Sequence, residues 1–568
     1  MKRKTHLSIL AAAAFLMVTP QHSDACTNVI ISKGASADGS CMVSYAADSH
    51  MLFGELYYHK AADWKPGAML DIVEWDTYKP LGQIRQIGHT YQTVGNMNEH
   101  QLIIGETTWG GREEQMNVDG IMDYGSLIYV TLQRARTARE AIDIIVSLAN
   151  EYGYPSEGET FSIADTREAW VMDLVGKGKE KGIVWVARRV PDGYICSHAN
   201  QARITRFPLN DPENCLYAPD VISFARKEGY FSGKDAEFSF REAYCPLDFG
   251  TVRGCDARVW SAFNTLCDGS FTYIDDNGKE VTRPASDWLD YAMGYDLKGE
   301  MPLFVKPSRK ISVKDVADVM RDHFEGTPMD MTTDIGAGGN ALPYRWRPME
   351  FSYDGKTYVN ERAIATQQTG FWFVGQSRGY LPDEVGGIIW FGTDDAATSY
   401  VTPIYTSTEA IPDCFRQGNG DMLHYSPESS FWINNRVSNA CYKMYNYMAA
   451  FVRERIDAFE NAQIFGKVQE NDKLAMDFYN KGNIKKAKET VTDYSVRTAQ
   501  SQFEEWVKLE QTLLVKFIDG NVKEQEADGS FKHSQYYEGV PDKISQPGYT
   551  EKWKSAVAKD HGAVLEVR

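Results

Sequence analysis

CTNVIISKGASADGSCMVSYAADS, residues 26–49, holds two apolar runs around a cluster of turn formers. Thr27 to Lys33 is β-branched and apolar, the composition of a buried strand. Gly34 to Ser40 (GASADGS) is turn chemistry, and Cys41 to Ala46 (CMVSYA) resumes a strand. The stretch therefore predicts a β-hairpin whose first residue is Cys26. A strand start is a rigid mount, which suits a side chain that must be held in one geometry.

What precedes the hairpin gives Cys26 its interest. Lys2, Arg3 and Lys4 form a positive start, Leu7 to Val18 (LSILAAAAFLMV) is a short apolar run, and Ser23 and Ala25 place small residues at −3 and −1. Residues 1–25 therefore read as a signal peptide. The apolar run falls short of the roughly 20 residues that a membrane span needs. Cleavage after Ala25 would make Cys26 the first residue, with a thiol and a free α-amine together. Such an amine titrates at about 7.7–8.0, where a general base is useful at neutral pH. A lipoprotein signal would also expose a cysteine, but here −3 is Ser23, −2 is the charged Asp24, and Thr19 to His22 separates the apolar core from the cut.

The 568 residues suffice for one large domain with a smaller addition. A net charge of −18 argues against a nucleic-acid partner. With 12% aromatic and 24% charged residues, the chain has the composition of a packed globular protein. Setting Cys26 aside, eight cysteines remain, among them Cys245 and Cys255 around a tight loop. Disulfides and buried thiols are both compatible with that number. No Cys-x-x-Cys or His-Glu-x-x-His spacing occurs, so no metal site is signalled.

Further strands are expected at Gln101–Gly105, Glu168–Leu174 and Gly182–Arg188, and a helix over Ala138–Tyr152. Asp275-Asp276-Asn277-Gly278 reads as a hairpin turn, and Gly370–Trp390 as two strands around a loop. The mixture predicts a layered α+β arrangement. After about residue 425 the texture becomes helical, with helices expected over Val437–Phe465 and Glu470–Phe517 and a break at Gly482-Asn483. Met444, Tyr445, Tyr447, Met448 and Phe451 read as a packing face. From Asp519 the chain is polar and turn-rich, an exposed tail.

The motifs resemble a known family. Cys26-Thr27, Lys33 to Ser40 and Ala47-Asp48-Ser49 are similar to the opening of the N-terminal-nucleophile (Ntn) cysteine dipeptidases, relatives of penicillin V acylase and bile salt hydrolase. The resemblance continues through Met97-Asn98-Glu99-His100, Ala199-Asn200-Gln201, Arg258-Val259-Trp260, Gln376 to Pro382 and Trp390 to Ala397, covering about residues 26–450. It implies a four-layer αββα Ntn-hydrolase core over 26–430, followed by a helical C-terminal extension and polar tail over 431–568. The implied activity is an exported dipeptidase, in the periplasm or secreted. Its substrate is a dipeptide or small amide, with no cofactor and no membrane span, and a homo-oligomer is compatible with it.

The resemblance also assigns roles. Cys26 is the nucleophile, and its α-amine the proton acceptor. Asp48, at the end of the second hairpin strand, would orient that amine. Asn200 would point its amide at the developing oxyanion, and Thr108 would assist it. Arg258 matches the family's later arginine near the nucleophile, or a structural salt bridge. Tyr45 departs from the pattern, standing where relatives usually carry arginine. A dipeptidase should also anchor a substrate amine and carboxylate; Glu106, Arg378 and Asp394 lie in suitable segments, but each reads better as an ordinary structural ion pair.

Four rival readings compete. Gly375-Gln376-Ser377-Arg378-Gly379 fits the G-x-S-x-G pattern of a serine hydrolase, but Pro382 and Gly386-Gly387 stand where a helix must follow. Gly336-x-Gly338-Gly339 is misspaced for a nucleotide loop and reads as a flexible turn. An exported binding protein on a hydrolase fold, or an acylase on bile salts or penicillins, would share the same opening residues.

Overall fold

The computed structural model describes residues 26–346 and 349–568; the leader expected over residues 1–25 lies outside them. Strand β1 (Asn28–Ile31) pairs antiparallel with β2 (Cys41–Asp48), Ile30 opposite Val43 and Ile31 opposite Met42. The turn closes on Asp38, whose carboxylate accepts from the Ser40 main-chain N–H at 3.1 Å and hydroxyl at 2.6 Å. Gly39 follows at φ +79°, a left-handed conformation that a side chain would strain.

The other principal strands are β3 (Ile103–Trp109), β4 (Gly158–Ala164), β5 (Ala169–Lys177), β6 (Glu180–Arg189), β7 (Ile195–His198), β8 (Thr369–Ser377), β9 (Gly387–Thr393) and β10 (Thr402–Tyr405). They make two antiparallel sheets. The first has the order β7-β1-β2-β8-β9-β10, and the second is centred on β6-β5-β4-β3 with short strands at its edges.

All eight residues of β2 are buried, because both faces of its sheet are covered. Period-two alternation sorts them. Cys41, Val43, Tyr45 and Ala47 pack between the sheets, while Met42 and Ala46 pack on the outer side. In β8 the same rule sends Phe371 and Phe373 inward and Trp372 and Val374 outward. Each fully buried side chain of this size contributes about 1.5–3 kcal/mol. Gly105 lets the sheets approach: a Cβ there would lie 2.7 Å from the Asn28 side chain.

Helices α1 (Tyr124–Leu132) and α2 (Ala138–Tyr152) cover the second sheet, with Ile142, Ile145 and Leu148 against Ile163, Trp170 and Met172. Thr137 caps α2 through the Glu140 N–H, and Gly153 at φ +81° ends it, the span that its periodicity predicts. Helices α3 (Ala257–Leu266) and α4 (Val313–Val319) pack on the outside of the first sheet. The molecule is thus mixed α and β.

The C-terminal segment holds α5 (Ser430–Cys441), α6 (Tyr445–Ala462), α7 (Val468–Asn480) and α8 (Ile484–Lys516). Val437, Met448, Val452, Trp506 and Leu513 share the inter-sheet core, and Val468, Ala475 and Val491 the outer one. Met444, Tyr445, Tyr447, Met448 and Phe451 do form a packing face. Gly482 at φ +77° breaks α7 from α8, and Asn483 caps the latter.

Some expectations are corrected. A turn at Tyr442–Met444 and a π-turn at Gln463–Lys467 interrupt the long helical stretch. The tail is ordered into short strand pairs and a helix, α9 (Glu551–Leu565), whose Lys, Glu and Ala are good helix formers despite their exposure. The Gly336–Gly339 segment lies in two short 3₁₀ turns within Ile335–Asn340 that meet at a kink, where Gly338 takes φ +62°. In the G-x-S-x-G stretch, Ser377 ends β8 buried, donating to the Gln101 carbonyl, and a turn follows in place of a helix. Asp275–Gly278 does join two paired strands, Ser270–Ile274 and Glu280–Pro284.

Candidate active site

Strand register brings the candidate residues together. Asn28 stands opposite His198 in the β1–β7 ladder, so running that register out past the strand ends sets Asn200 across from Cys26. Thr27 bridges Ala46, which brings the end of β2, and hence Asp48, to the same place. A register shift between Ala47 and Asp48, where β2 meets β8, frees local backbone from the ladder. The Asp48 main-chain N–H turns to the Cys26 sulfur.

Cys26 is only 6% exposed. Its Sγ lies 3.5 Å from Glu106 Oε1 and 3.8 Å from the Tyr45 hydroxyl. Burial, then the charges of Glu106 and Asp48, push the thiol well above its ordinary range, and the Asp48 N–H and Tyr45 hydroxyl offset this in part. Burial and these charges disfavour the thiolate, which is the form that attacks.

Arg258 organises the backbone around it. Its Nη1 donates to the Cys26 carbonyl at 2.6 Å and to Thr27 Oγ1 at 2.8 Å. Its Nη2 donates to Asn200 Oδ1 at 2.9 Å, and its Nε to the Gly254 carbonyl at 2.7 Å. Burial first, and the neighbouring Arg362 second, bring this guanidinium down to about 9. Asn200 takes a left-handed φ of +55°, and its Nδ2 donates to the Thr108 carbonyl at 2.5 Å. The Thr108 hydroxyl donates to Glu159 at 3.0 Å. So Cys26, Asp48, Asn200, Thr108 and Arg258 form one cluster, with Arg258 bound to main-chain and amide oxygens of the Cys26 surroundings.

A sequence profile of peptidase family C69 matches residues 25–458. The chain belongs to peptidase family C69. A probable dipeptidase A of Streptococcus pyogenes serotype M3 (strain SSI-1) is 24% identical over 455 residues, covering 74% of this chain and 84% of that protein. A probable dipeptidase of Salmonella dublin is 25% identical, with coverage of 71% and 82%. Dipeptidase A of Lactobacillus helveticus is 21% identical, with coverage of 77% and 85%.

In this C69 peptidase, further groups join the cluster. The Arg362 guanidinium pairs with the Asp48 carboxylate, whose other oxygen accepts from the Thr369 hydroxyl at 2.6 Å. Tyr45 donates its hydroxyl to Glu106 at 2.5 Å. Glu159, hydrogen-bonded to Glu106, is pushed well up by burial and by the Glu106 charge. With its amide oriented to suit its neighbours, Asn28 donates to the Glu106 carbonyl at 2.9 Å and accepts from the Glu106 N–H at 3.1 Å. His198 lies between Thr107 (2.7 Å) and Ser162 (2.6 Å), and burial, then Arg203, lowers it to about 3. Glu106 was named in advance only as one of three residues that could meet a substrate terminus, just past the strand expected over Gln101–Gly105; Arg362 carried no local signal.

Two residues considered for the substrate termini lie elsewhere. Arg378 forms an ion pair with Asp472 at 2.5 Å, and Asp394 accepts from Asn435 and Ser438. All nine cysteines are free thiols, including Cys245 and Cys255. Among the described residues, Asp318, Asp457 and Glu460 lie close enough to share a cation, but Lys314, Arg321 and Arg453 already meet them as ion pairs. Among the described residues, no helix is long and apolar enough to cross a membrane.

Proposed function

We propose that this chain is a dipeptidase that cleaves its substrate by acyl transfer to Cys26, and that it acts as an exported protein beginning at that residue. The supporting observation is that Cys26, one residue inside the start of the family match, sits buried amid Asp48, Arg258 and Asn200. Three relatives carry the name dipeptidase, which supports the substrate class. The two facing sheets with helices outside them fit the four-layer αββα core of Ntn hydrolases.

The steps follow from the residues. The α-amine of Cys26 takes the thiol proton, directly or through water, and the sulfur attacks the peptide carbonyl carbon. The carbonyl π pair moves onto oxygen. Asn200 offers its amide to that oxyanion, with the N–H not spent on Thr108, and Arg258 fixes the amide by holding its oxygen. Thr108 contributes by setting the position of Asn200 through its carbonyl. As the oxyanion collapses, the C–N bond breaks and the ammonium proton passes to the leaving amine. Water, deprotonated by the same amine, then attacks the thioester, releasing the acid and the thiol. Asp48, itself held by Arg362 and Thr369, orients the amine through its carboxylate and the sulfur through its N–H.

The test is an assay of wild type and Cys26→Ala on a dipeptide panel beside a conjugated bile salt, with and without EDTA. The expected result is dipeptide cleavage that needs Cys26 and ignores the chelator. Cleavage of the bile salt alone would favour an acylase, and ligand binding without turnover a binding protein.

A further inference from the structure

Glu106 is not used by the acyl-transfer steps, yet its carboxylate is the acidic side chain that touches the sulfur. Resting on the reading of this chain as a Cys26 dipeptidase, we propose that Glu106 holds the free α-ammonium of the substrate's first residue, restricting the enzyme to scissile carbonyls that neighbour an unblocked amine.

The argument is geometric. In an aminoacyl group the nitrogen lies two bonds from the carbonyl carbon, about 2.5 Å away. A nucleophile poised for attack stands roughly 3–3.5 Å from that carbon. The ammonium of a dipeptide must therefore come within a few ångströms of the attacking sulfur, and so must its counter-ion. Glu106 Oε1 lies 3.5 Å from Cys26 Sγ. Glu106 itself accepts from the Tyr45 hydroxyl, and the other acids nearby are held as well. Asp48 is held by Arg362 and Thr369, and Glu159 accepts the hydroxyls of Thr108 and Tyr154 at 3.0 and 3.2 Å.

Two features prepare Glu106 for this task. Its main chain is pinned in both directions by Asn28, two residues from the nucleophile. Glu159 hydrogen-bonds the Glu106 carboxylate from the neighbouring strand, and burial, then the Glu106 charge, push its own carboxyl well up. Tyr45, where the resemblance led us to expect arginine, donates a neutral hydroxyl to the same oxygen. A tyrosine orients the carboxylate; an arginine would have cancelled its charge.

The experiment compares leucyl-leucine with 4-methylpentanoyl-leucine, the same amide without the α-amine, and with N-acetyl-leucyl-leucine. Wild type should prefer the free-amine substrate in kcat/KM by on the order of 100-fold. Glu106→Gln should collapse that ratio towards one, with KM for leucyl-leucine rising, and Tyr45→Phe should lower it part-way. Circular dichroism checks that both variants fold, and the wild-type comparison stands without them. The proposal is overturned if wild type cleaves all three equally. It is also overturned if Glu106→Gln slows the amine-bearing and amine-free substrates by the same factor, since Glu106 would then serve Cys26 or the fold. Turnover that survives Cys26→Ala would instead sink the underlying reading, whatever Glu106 does.

Discussion

Two buried arginine clusters stand at opposite ends of the first sheet, and they are built on different logic. At one end, beside the Cys41–Ser377 pairing, Arg378 donates to Asp472 at 2.5 Å and to the carbonyls of Val385 and Gly386. Burial, the largest single influence, pulls this guanidinium down, but the charge and hydrogen bond of Asp472 together with Tyr405 and Tyr380 outweigh it, and the net shift is upward. Tyr405 completes the Asp472 shell at 2.6 Å. At the other end, beside Asp48, Arg258 is spread over the oxygens of Cys26, Thr27, Asn200 and Gly254, and is lowered to about 9. One pair is matched and ties α7 to β8. The other is strained electrostatically, and perturbed groups of that kind gather where chemistry is done. A cavity of about 390 Å³ lies beside Arg378 and Asp472, and none of its lining residues belongs to the Cys26 cluster.

The contrast can be broken most severely at the nucleophile. Cys26→Ala should remove dipeptide turnover by about 10⁴-fold or more while leaving the urea midpoint near that of wild type. Asn200→Ala comes next, with an expected loss of about 100–1,000-fold in kcat and little change in KM. An unchanged kcat would remove Asn200 from the oxyanion role.

The two arginines give a paired test. Arg258→Met should cost on the order of 100-fold in kcat/KM through displacement of Cys26 and Asn200. Arg378→Met should instead cost about 3–5 kcal/mol of stability by stranding Asp472, with kcat/KM of the folded fraction unchanged within about twofold. If both variants lose activity in proportion to stability, the distinction between the clusters fails.

How much of this was legible beforehand depended on the distance over which the information acts. The opening hairpin, β5, β6 and α2 follow from local period and turn chemistry, and the structure places them within a few residues of expectation. Cys26, Asp48, Asn200 and Arg258 were recognisable from their motifs, but the first three converge through register across β1, β2 and β7, and Arg258 arrives from α3 packed on the outside of that sheet. Arg362 and Glu159 reach the site from remote segments without a motif, so burial and pairing alone reveal them. Tyr45 was seen as a departure, and only the fold gives it a partner. In the tail, polarity suggested coil where helix propensity prevailed.

The smallest expected effect concerns pH. His198, at about 3 in the folded protein, stays neutral while the unfolded chain takes up a proton below about 6.5. The unfolded state then binds more protons, so stability falls as pH drops from about 6.5 towards 3, by at most about 1.4 kcal/mol per unit. His198→Asn removes this contribution. Urea midpoints of that variant should decline less between pH 7 and 5 than those of wild type; parallel curves would show that His198 titrates normally.

The central claim is that one residue supplies both the attacking sulfur and the proton-accepting amine. Peptide mass spectrometry of active enzyme, labelled to completion of inactivation with iodoacetamide, tests it directly. The label should fall on the thiol of a peptide that begins at Cys26 with an unblocked amine. A label elsewhere, or an active enzyme in which Cys26 is internal or its amine acylated, would contradict the mechanism.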